Sequence, residues 1–336
     1  MVKSPITFSG IYASRNPGHR GSIFGKRGGP GGGSEEAVLR ALRWLKKHQN
    51  SDGSWIATSG GGGEVTWGAG PIASGMTGLG LLTFLAHGET PASEEFGMTV
   101  EGAIRYLMGN QKGDGRFKSV DAHEYCHPIA SYALCEAYGM TRIPMIKEHA
   151  EKAIDVVIKG QHGSGGWDYN LNSSGRDDTS FAAWCAQSLK AAKMAGLEPS
   201  GLGDAMQKAL AGLKSNANGD GSFAYTNSER DAHKQLASAG ALCVQLLGTG
   251  REKEVSSALR WWDQTQSNNS WSNPQGQNPV YYWYYITQAK FHEGGTTWDA
   301  WNTTFIPQVM KGQTIIRKED SGYTDHKGNP RAIGYW

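Results

Sequence analysis

The stretch AIDVVIKGQHGSGGW, residues 153–167, is the strongest indication of the fold because it recurs along the chain. In it, an apolar helical run ends at a Gln, a glycine-rich turn follows, and an aromatic residue closes the unit. Related stretches, most of them with the Gln at the same spacing, occupy residues 41–55, 103–117, 209–223 and 258–271. Because a period of about fifty residues is the length of a helical hairpin with its loop, the sequence predicts a helical repeat protein.

Two copies of the repeat differ from the others. The fourth has Ala217 in the position of the Gln, and a weaker sixth copy reaches Gln313 through Ile306 and Val309. We expect each Gln to bond the free carbonyls at the end of its own helix and each aromatic to stack on the next hairpin. The predicted core clamps are therefore Trp55, Phe117, Trp167, Phe223 and Trp271.

A second kind of helix is expected between the copies. These segments are apolar nearly all round, whereas the repeat helices carry Lys, Arg and Glu on one face, so the repeats should form outer helices and the apolar segments inner ones. Inner helices of this kind favour a closed barrel, with an open solenoid of the same hairpins as the competing arrangement. The predicted inner helices are 74–88, 127–139, 178–196, 236–248 and 279–295.

Composition and charge exclude several classes of protein. The chain has 336 residues and a net charge of +2 with both signs interspersed, which gives no field suited to nucleic acid or to a membrane surface. No apolar run approaches the length of about 18 residues that spans a bilayer, and the first thirty residues lack the apolar core of a signal peptide. The sequence as given is therefore predicted to be soluble, with its compartment left open.

The N-terminal segment differs from the rest of the chain. Residues 1–33 contain no acidic residue and include GKRGGPGGG, which predicts a flexible basic linker, a segment also compatible with a tether to a cell envelope. A toroid domain is expected over 34–336, since Ser34, Glu35 and Glu36 supply a helix start. After Gln313 only a glycine- and charge-rich tail remains, so either the ring is open there or the chain stops short of a sixth inner helix.

The repeats resemble a known superfamily. GQHGSGGW, NQKGDGRF and HQNSDGSW are similar to the QW repeats of squalene-hopene and oxidosqualene cyclases, and the hairpin count resembles the (α/α)6 toroid that those enzymes share with protein prenyltransferase β subunits. DDTSFAAW and YYWYYITQAKFHEGGTTWDAWN resemble the planctomycete-type single-toroid "prenyltransferase and squalene oxidase repeat" proteins. The resemblance covers residues 34 to about 313 and implies an all-α toroid, with little information about chemistry.

A pair of carboxylates is the candidate catalytic group. In the cyclases the motif DxDDT supplies an aspartic acid that protonates an isoprene double bond, and Asp177, Asp178 and Thr179 match its end. Gly175 replaces the first Asp, and Arg176 and a helix N-terminus favour the carboxylate form. The alternative is that Asp178 or Asp177 only caps the following helix.

A metal site is the second candidate. The resemblance to protein prenyltransferases implies zinc held by Asp, Cys and His, for which His123, Cys126, His127 and Cys185 are weak candidates beside Asp178. The Asp-x-Cys element of those enzymes is absent, and the alternative is that Cys126 and His127 cap and pack an inner helix. No cofactor is predicted.

An aromatic run is the third candidate feature. Five successive aromatics on one helix cannot all face the same side, so some should line the central cavity while others pack outward. The expected ligand-binding residues are His127, Trp184, Tyr281, Tyr282, Trp283 and Tyr285. They predict an aromatic-lined cavity for an apolar, isoprenoid-like or other extended ligand. The alternatives are a class II terpene cyclase-like isomerase with an Asp proton donor, and a non-catalytic module that binds a peptide or protein end at converging helix N-termini.

Overall fold

The structure is a computed structural model that describes Tyr12, Arg15 and residues 33–56, 66–67, 70–117, 125–171, 175–275 and 279–336. These residues are mostly helical, with two short antiparallel hairpins, β1 (Thr66–Trp67) with β2 (Gly70–Pro71) and β3 (Thr314–Ile316) with β4 (Ile333–Tyr335). The helices are α1 (Gly33–Lys47), α2 (Ala73–His87), α3 (Gly97–Gly109), α4 (Cys126–Thr141), α5 (Pro144–Lys159), α6 (Thr179–Met194), α7 (Leu202–Ser215), α8 (Lys234–Leu247), α9 (Lys253–Thr265), α10 (Pro279–Glu293) and α11 (Gly295–Lys311).

Two kinds of helix alternate along the chain, as the sequence predicts. Helices α1, α3, α5, α7 and α9 carry the repeats, and α5 shows their surface: its exposed face has ion pairs between Lys152 and Glu148 and between Lys159 and Asp155, each with an N to O distance of 2.7 Å. Helix α6 represents the second kind, since every residue from 179 to 189 is buried. The apolar stretches therefore form buried helices and the amphipathic repeats form helices with one solvent face.

The chain divides into two compact units, each built from separated stretches. The first comprises Met1–Ala153, Met194–Leu197 and Val309–Trp336, and its core includes stacked rings of Trp55 and Phe84. The second comprises Ile154–Lys193 and Glu198–Gln308, and its core includes Trp167, Phe181 and Phe223, all fully buried. The single toroid domain expected over 34–336 stays a prediction.

Four of the repeat glutamines bond a neighbouring outer helix instead of the free carbonyls of their own helix. The Gln49 amide donates to the carbonyl of Gly53 in its own turn and to that of Thr99 in the first turn of α3, both at 2.9 Å. Three other repeat glutamines likewise donate to a carbonyl of another outer helix: Gln111 to His149 at 2.9 Å, Gln161 to Ala205 at 3.0 Å, and Gln313 to Ala37 at 2.8 Å. The expected bond to the helix's own free carbonyls is corrected for these four glutamines, because each of them links one outer helix to another. Gln266 of the fifth copy instead donates to the Thr265 hydroxyl at 3.3 Å.

The sixth copy of the repeat makes the same kind of glutamine bond as the first three copies. Helix α11 is the sixth repeat helix, and Gln313 behind it both donates to Ala37 of α1 and accepts from Arg40 at 2.8 Å. The last repeat therefore bonds the first by the same contact that joins consecutive repeats. In place of a sixth inner helix the tail forms the β3–β4 hairpin, in which β4 packs on α1.

The repeat aromatics pack within their own hairpins. The Trp55 ring lies against Gly80 of α2, where an added Cβ would come within 2.6 Å of it, and Phe223 occupies the same place against Gly240 of α8. The indole nitrogens of Trp55 and Trp167 donate to helix carbonyls at 2.9 and 2.8 Å. Trp55, Phe117, Trp167 and Phe223 are buried core clamps as predicted, whereas Trp271 is half-buried. For Trp55, Phe117 and Phe223 the partner is the inner helix that follows rather than the next hairpin.

Two residues of the segment expected to be a linker, Tyr12 and Arg15, contact the helices of the first unit. Tyr12 is buried against Gly139, and Arg15 forms an ion pair with Glu136. The other residues of 1–32 lie outside the described residues, so the linker interpretation stays a prediction for them, and Gly33 already belongs to α1. Among the described residues, no helix combines the length and apolarity needed to cross a bilayer.

Candidate ligand-binding site

Asp178 precedes α6 and is fully buried. Its Oδ1 accepts hydrogen bonds from the backbone nitrogen of Phe181 at 2.8 Å and from the Ser180 hydroxyl at 2.5 Å. A side-chain oxygen that bonds the backbone nitrogen three residues on is the geometry of a helix N-cap, so the capping interpretation is confirmed. Within the part of the chain that the structure describes, Oδ2 has no hydrogen-bond donor and lies 3.2 Å from Nη2 of Arg176.

Arg176 joins two acidic side chains and two aromatic rings beside this cap. Its Nη1 donates to Oδ1 of Asp168 at 2.7 Å, and its Cζ lies 5.1 and 5.0 Å from the ring centroids of Tyr169 and Tyr225. The hydroxyls of these two tyrosines are 2.5 Å apart. Two cation–π contacts and two carboxylates hold the guanidinium in place next to Asp178.

Asp177 serves a different contact from its neighbour. Its Oδ1 lies 2.9 Å from Nδ1 of His162, a residue of the repeat turn, and both side chains are buried. Its carboxylate also lies against Gly166, where an added Cβ would come 2.4 Å from Cγ. Asp177 therefore fastens the repeat turn to the segment before α6, and the structure places its carboxylate on His162 rather than beside that of Asp178.

The aromatic run of α10 divides between two sides of the helix, as its spacing requires. Tyr282 and Trp283 pack toward outer elements: the Tyr282 hydroxyl donates to Asn269 at 3.1 Å, and the Trp283 ring lies 4.9 Å from Trp271 and 5.5 Å from Phe305. These contacts are those of core residues, so the two predicted ligand residues Tyr282 and Trp283 lie on the side away from α6.

The other aromatics of α10 meet α6, and we name Trp184, Tyr281, Tyr284 and Tyr285 the inner aromatic cluster. The Trp184 ring stacks on Tyr284 at 5.6 Å, and Tyr285 lies 4.8 Å from Tyr281 and 5.9 Å from Trp184. Gln187 of α6 ties the cluster, because it accepts from the Tyr284 hydroxyl at 3.0 Å and donates to that of Tyr285 at 3.3 Å. The structure therefore brings together three of the predicted ligand residues.

Electrostatics connect the cluster with the cap. Burial raises the pKa of Tyr281 well above its ordinary value, and the Asp178 carboxylate and the Cys243 thiol raise it further. Burial likewise raises the pKa of Tyr285, with Tyr281 and Cys243 adding to it. Both phenols are therefore neutral hydrogen-bond groups at any physiological pH.

His127 lies in a closed environment. It is fully buried, its Nε2 is 3.0 Å from the Ala153 carbonyl, and its ring lies 5.3 Å from that of Phe117. Burial lowers its pKa to about 4, against which the bond to Ala153 acts. A neutral imidazole donating to a backbone carbonyl fits the packing interpretation better than ligand contact.

The metal candidates are not brought together among the described residues. Cys126 packs against Gly75, where an added Cβ would come 3.1 Å from its Sγ, and Cys185 is fully buried, which raises the pKa of its thiol well above the ordinary value. His123 lies outside the described residues. No group of three His, Cys, Asp or Glu side chains in the described part of the chain is arranged to hold a metal ion.

Sequence reasoning missed several members of this region. Tyr284 belongs to the same aromatic run but is not among the ligand residues predicted from it, and Gln187, Tyr169 and Tyr225 lie in no recognisable motif. A helical wheel could have found Gln187, because it lies one turn after Trp184 on the same face of α6. The tyrosine pair around Arg176 involves separate loops, so only the folded chain reveals it.

Comparison with known proteins extends these observations. No protein-family profile and no curated protein sequence matches the chain. Among solved structures, unsaturated glucuronyl hydrolase from Bacillus sp. GL1 aligns with a TM-score of 0.59 at 13% identity, covering 90% of this chain and 92% of that chain. The apo type II terpene cyclase MstE from Scytonema aligns with a TM-score of 0.51 at 15% identity, covering 77% of this chain and 82% of that one.

The chain spans 65% of the length of the same cyclase in its complex with geranylgeranyl dihydroxybenzoate, at 17% identity and a TM-score of 0.48 over 73% of this chain. The hydrolase and the apo cyclase are both α/α-toroid proteins. At such low identity a structural likeness shows a fold and not an activity. The comparisons therefore establish that this chain has the all-α, α/α-toroid fold that its repeats predict.

Proposed function

We propose that the chain is a toroid domain that binds an apolar, isoprenoid-like ligand on the inner aromatic cluster of α6 and α10. The observation that carries the proposal is the stack of Trp184 on Tyr284 beside a glutamine that bonds two tyrosine hydroxyls. Tyr281 and Tyr284 stay partly exposed, whereas Tyr282, Trp283 and Tyr285 of the same aromatic run are buried. The first two therefore keep ring surface for a ligand.

The chemistry of the cluster suits such a ligand. Aromatic faces offer large apolar contact area at little entropic cost, and the ring quadrupole attracts positive charge. The amide of Gln187 and the hydroxyl of Tyr284 supply a small number of polar atoms that could orient one polar group of the ligand. The resemblance of the repeats to terpene cyclases agrees with this ligand class, and membership in the prenyltransferase and squalene oxidase repeat proteins is part of the proposal.

A binding experiment tests this proposal. Tritiated geranylgeraniol in equilibrium dialysis should bind the wild-type chain, and Trp184→Ala should weaken binding at least about tenfold, because it removes the stacked ring. Tyr282→Phe is the matched control: it also alters one aromatic of α10, but on the side that contacts Asn269, and it should bind as the wild type does. Absence of binding, or equal loss in both variants, would refute the proposal.

An isomerase of the cyclase type is the second candidate, and one observation favours it. Asp178 Oδ2 is buried without a hydrogen-bond donor among the described residues, and the charge of Asp178 acts on Tyr281 in the aromatic cluster. A protonated Asp178 could donate its proton to a ligand double bond and receive one back as the cation loses a proton elsewhere. The two capping bonds to Asp178 and the nearby Arg176 guanidinium favour the ionised carboxylate, whereas a proton donor must be the neutral acid. The isomerase therefore ranks second.

Asp178→Asn separates the two candidates. The amide keeps an oxygen that can cap α6 but has no acidic proton, so ligand binding should persist while any conversion of squalene or geranylgeraniol to a cyclic product disappears. Product formation by the wild-type chain and none by Asp178→Asn, measured by gas chromatography and mass spectrometry, would establish the isomerase. If no isoprenoid probe binds and a peptide or protein end does, the interaction module expected as a further alternative would replace both.

A further inference from the structure

Two residues of the N-terminal segment lie against the ends of inner helices in the first unit. Tyr12 is only 1% exposed, and the Arg15 guanidinium places Nη1 2.5 Å from Oε2 of Glu136. Glu136 itself is 5% exposed on α4. A buried carboxylate is costly without a partner, so the ion pair supplied by Arg15 stabilises this part of the helix.

The surface beneath these residues fits them closely. A Cβ added at Gly139 would lie 2.3 Å from the Tyr12 hydroxyl oxygen, and its three nearest heavy atoms all belong to Tyr12. Gly88 follows the end of α2 and has a φ of 94°. A Cβ added at Gly88 would lie 2.1 Å from the carbonyl oxygen of Arg15, so this glycine is also in close contact with the N-terminal segment. One glycine therefore makes room for the ring and the other for the backbone.

The acid and the glycine of this surface share one face of α4. Glu136 and Gly139 are three residues apart, and Met140, whose Sδ lies 3.5 Å from Arg15 Nη1, follows at the next position of the same face. We name the surface formed by Gly88, Glu136, Gly139 and Met140 the arm slot, and Tyr12 together with Arg15 the arm. The slot selects a tyrosine by shape and, three residues later, an arginine by charge.

We propose that the arm slot is a peptide-recognition site for a Tyr-x-x-Arg segment, and that it exchanges the arm of its own chain for the arm of a second copy. Exchange remakes the same contacts, so it involves no new interface chemistry. The chain between arm and α1, residues 16–32, has 17 residues of which seven are glycine. At about 3.3–3.6 Å per residue it can reach roughly 60 Å, enough to seat the arm on a neighbouring molecule.

Two complementary variants of the full chain test the exchange. Tyr12→Ala leaves a vacant slot and a defective arm, whereas Gly139→Ala leaves an intact arm and a slot that the new Cβ blocks. Each variant alone should be monomeric in sedimentation velocity and native mass spectrometry, and their mixture should form a 1:1 complex. A mixture that stays monomeric would overturn the exchange.

A control shows that the blocked slot is responsible. Gly109→Ala on α3 meets nothing within 4 Å, so this variant should keep its arm in its own slot and form no complex with Tyr12→Ala. Complex formation by Gly109→Ala to the same extent as by Gly139→Ala would contradict the proposal, because it would mean that association does not depend on the slot.

A peptide measurement keeps the proposal testable if Gly139→Ala fails to fold. A labelled peptide of residues 8–19, FSGIYASRNPGH, should bind the Tyr12→Ala chain at least about tenfold more tightly than the wild-type chain, whose own arm competes at a high effective concentration. The same peptide carrying Tyr12→Ala or Arg15→Glu should lose at least about tenfold. Equal anisotropy titrations for both chains, or for all three peptides, would overturn the recognition site.

Discussion

The glycine that ends each repeat turn offers a sharp test of how the repeats interlock. Gly165 has a φ of 95°, and a Cβ there would lie 2.0 Å from the carbonyl oxygen of Lys208 in α7. Gly53 and Gly221 repeat both features, with φ values of 90° and 98° and Cβ approaches of 2.2 and 2.3 Å to carbonyls of neighbouring repeat helices. We therefore expect Gly165→Ala to destabilise the second unit by two separate effects.

The magnitude follows from adding those effects. A left-handed backbone costs a residue with a Cβ about 1–2 kcal/mol, and forcing a methyl group into a filled contact costs about 1–3 kcal/mol more. Gly165→Ala should thus lower the free energy of unfolding by about 2–5 kcal/mol. Gly163 lies two residues earlier in the same turn, and a Cβ added there would meet nothing within 4 Å at a φ that is not left-handed. Gly163→Ala should therefore leave the free energy of unfolding unchanged or raise it by up to about 1 kcal/mol.

Urea unfolding followed by circular dichroism and by tryptophan fluorescence measures both variants. Coincident transitions by the two probes would justify reading the midpoint shift as a change in stability. A Gly165→Ala variant with a free energy of unfolding within about 0.5 kcal/mol of the wild type, or an equal midpoint shift for both alanine variants, would contradict this prediction. Either result would mean that the turn does not approach α7 as closely as the structure shows.

Three further predictions concern stability. Asp178→Asn should unfold near the wild type in urea, whereas Asp178→Ala should lose about 1–2 kcal/mol with the cap; equal large losses would point to the charge instead. Trp167→Ala should lose about 3–5 kcal/mol, because the ring is fully buried and its Nε1 bonds a helix carbonyl at 2.8 Å; an unchanged melting temperature would contradict this. Burial lowers the pKa of His127 from 6.5 to about 4, so the unfolded chain binds more protons between these values and stability falls as the pH drops through them. Between pH 7 and pH 5 the wild type should lose about 2 kcal/mol more than His127→Gln, and equal losses in urea unfolding at the two pH values would show that His127 does not titrate as proposed.

The start of α6 has one feature that depends on neighbouring residues in the sequence and one that depends on residues brought close by folding. Asp178 ahead of an apolar run is a helix start that a sequence can reveal, because an N-cap acts over three residues of one chain. The environment of its second oxygen depends on Arg176, whose position is fixed by Asp168 and two tyrosine rings. Whether this aspartate is a cap alone or also an acid could therefore not be decided from its motif.

The orientation of the aromatic residues of α10 also depends partly on the sequence and partly on the packing of neighbouring helices. Its composition predicts that some rings face inward and others outward, since successive residues on a helix differ by about 100°. Which rings do so depends on the helices that pack on each side: Tyr282 meets Asn269, whereas Tyr285 meets Gln187. Two of the four residues expected from this run to bind the ligand lie on the outward side for that reason.

The kinds of helix, their order and most of their boundaries are predictable from the sequence, because apolar periodicity, caps and turn glycines act within a few residues. The partners that the repeats bond depend instead on how the helices pack in the folded chain. Gln313 meets Ala37 across most of the chain's length, and Tyr12 enters a slot beside Gly139 that no local pattern marks. Such contacts depend on the distances between elements after folding, a quantity that no short stretch of sequence contains.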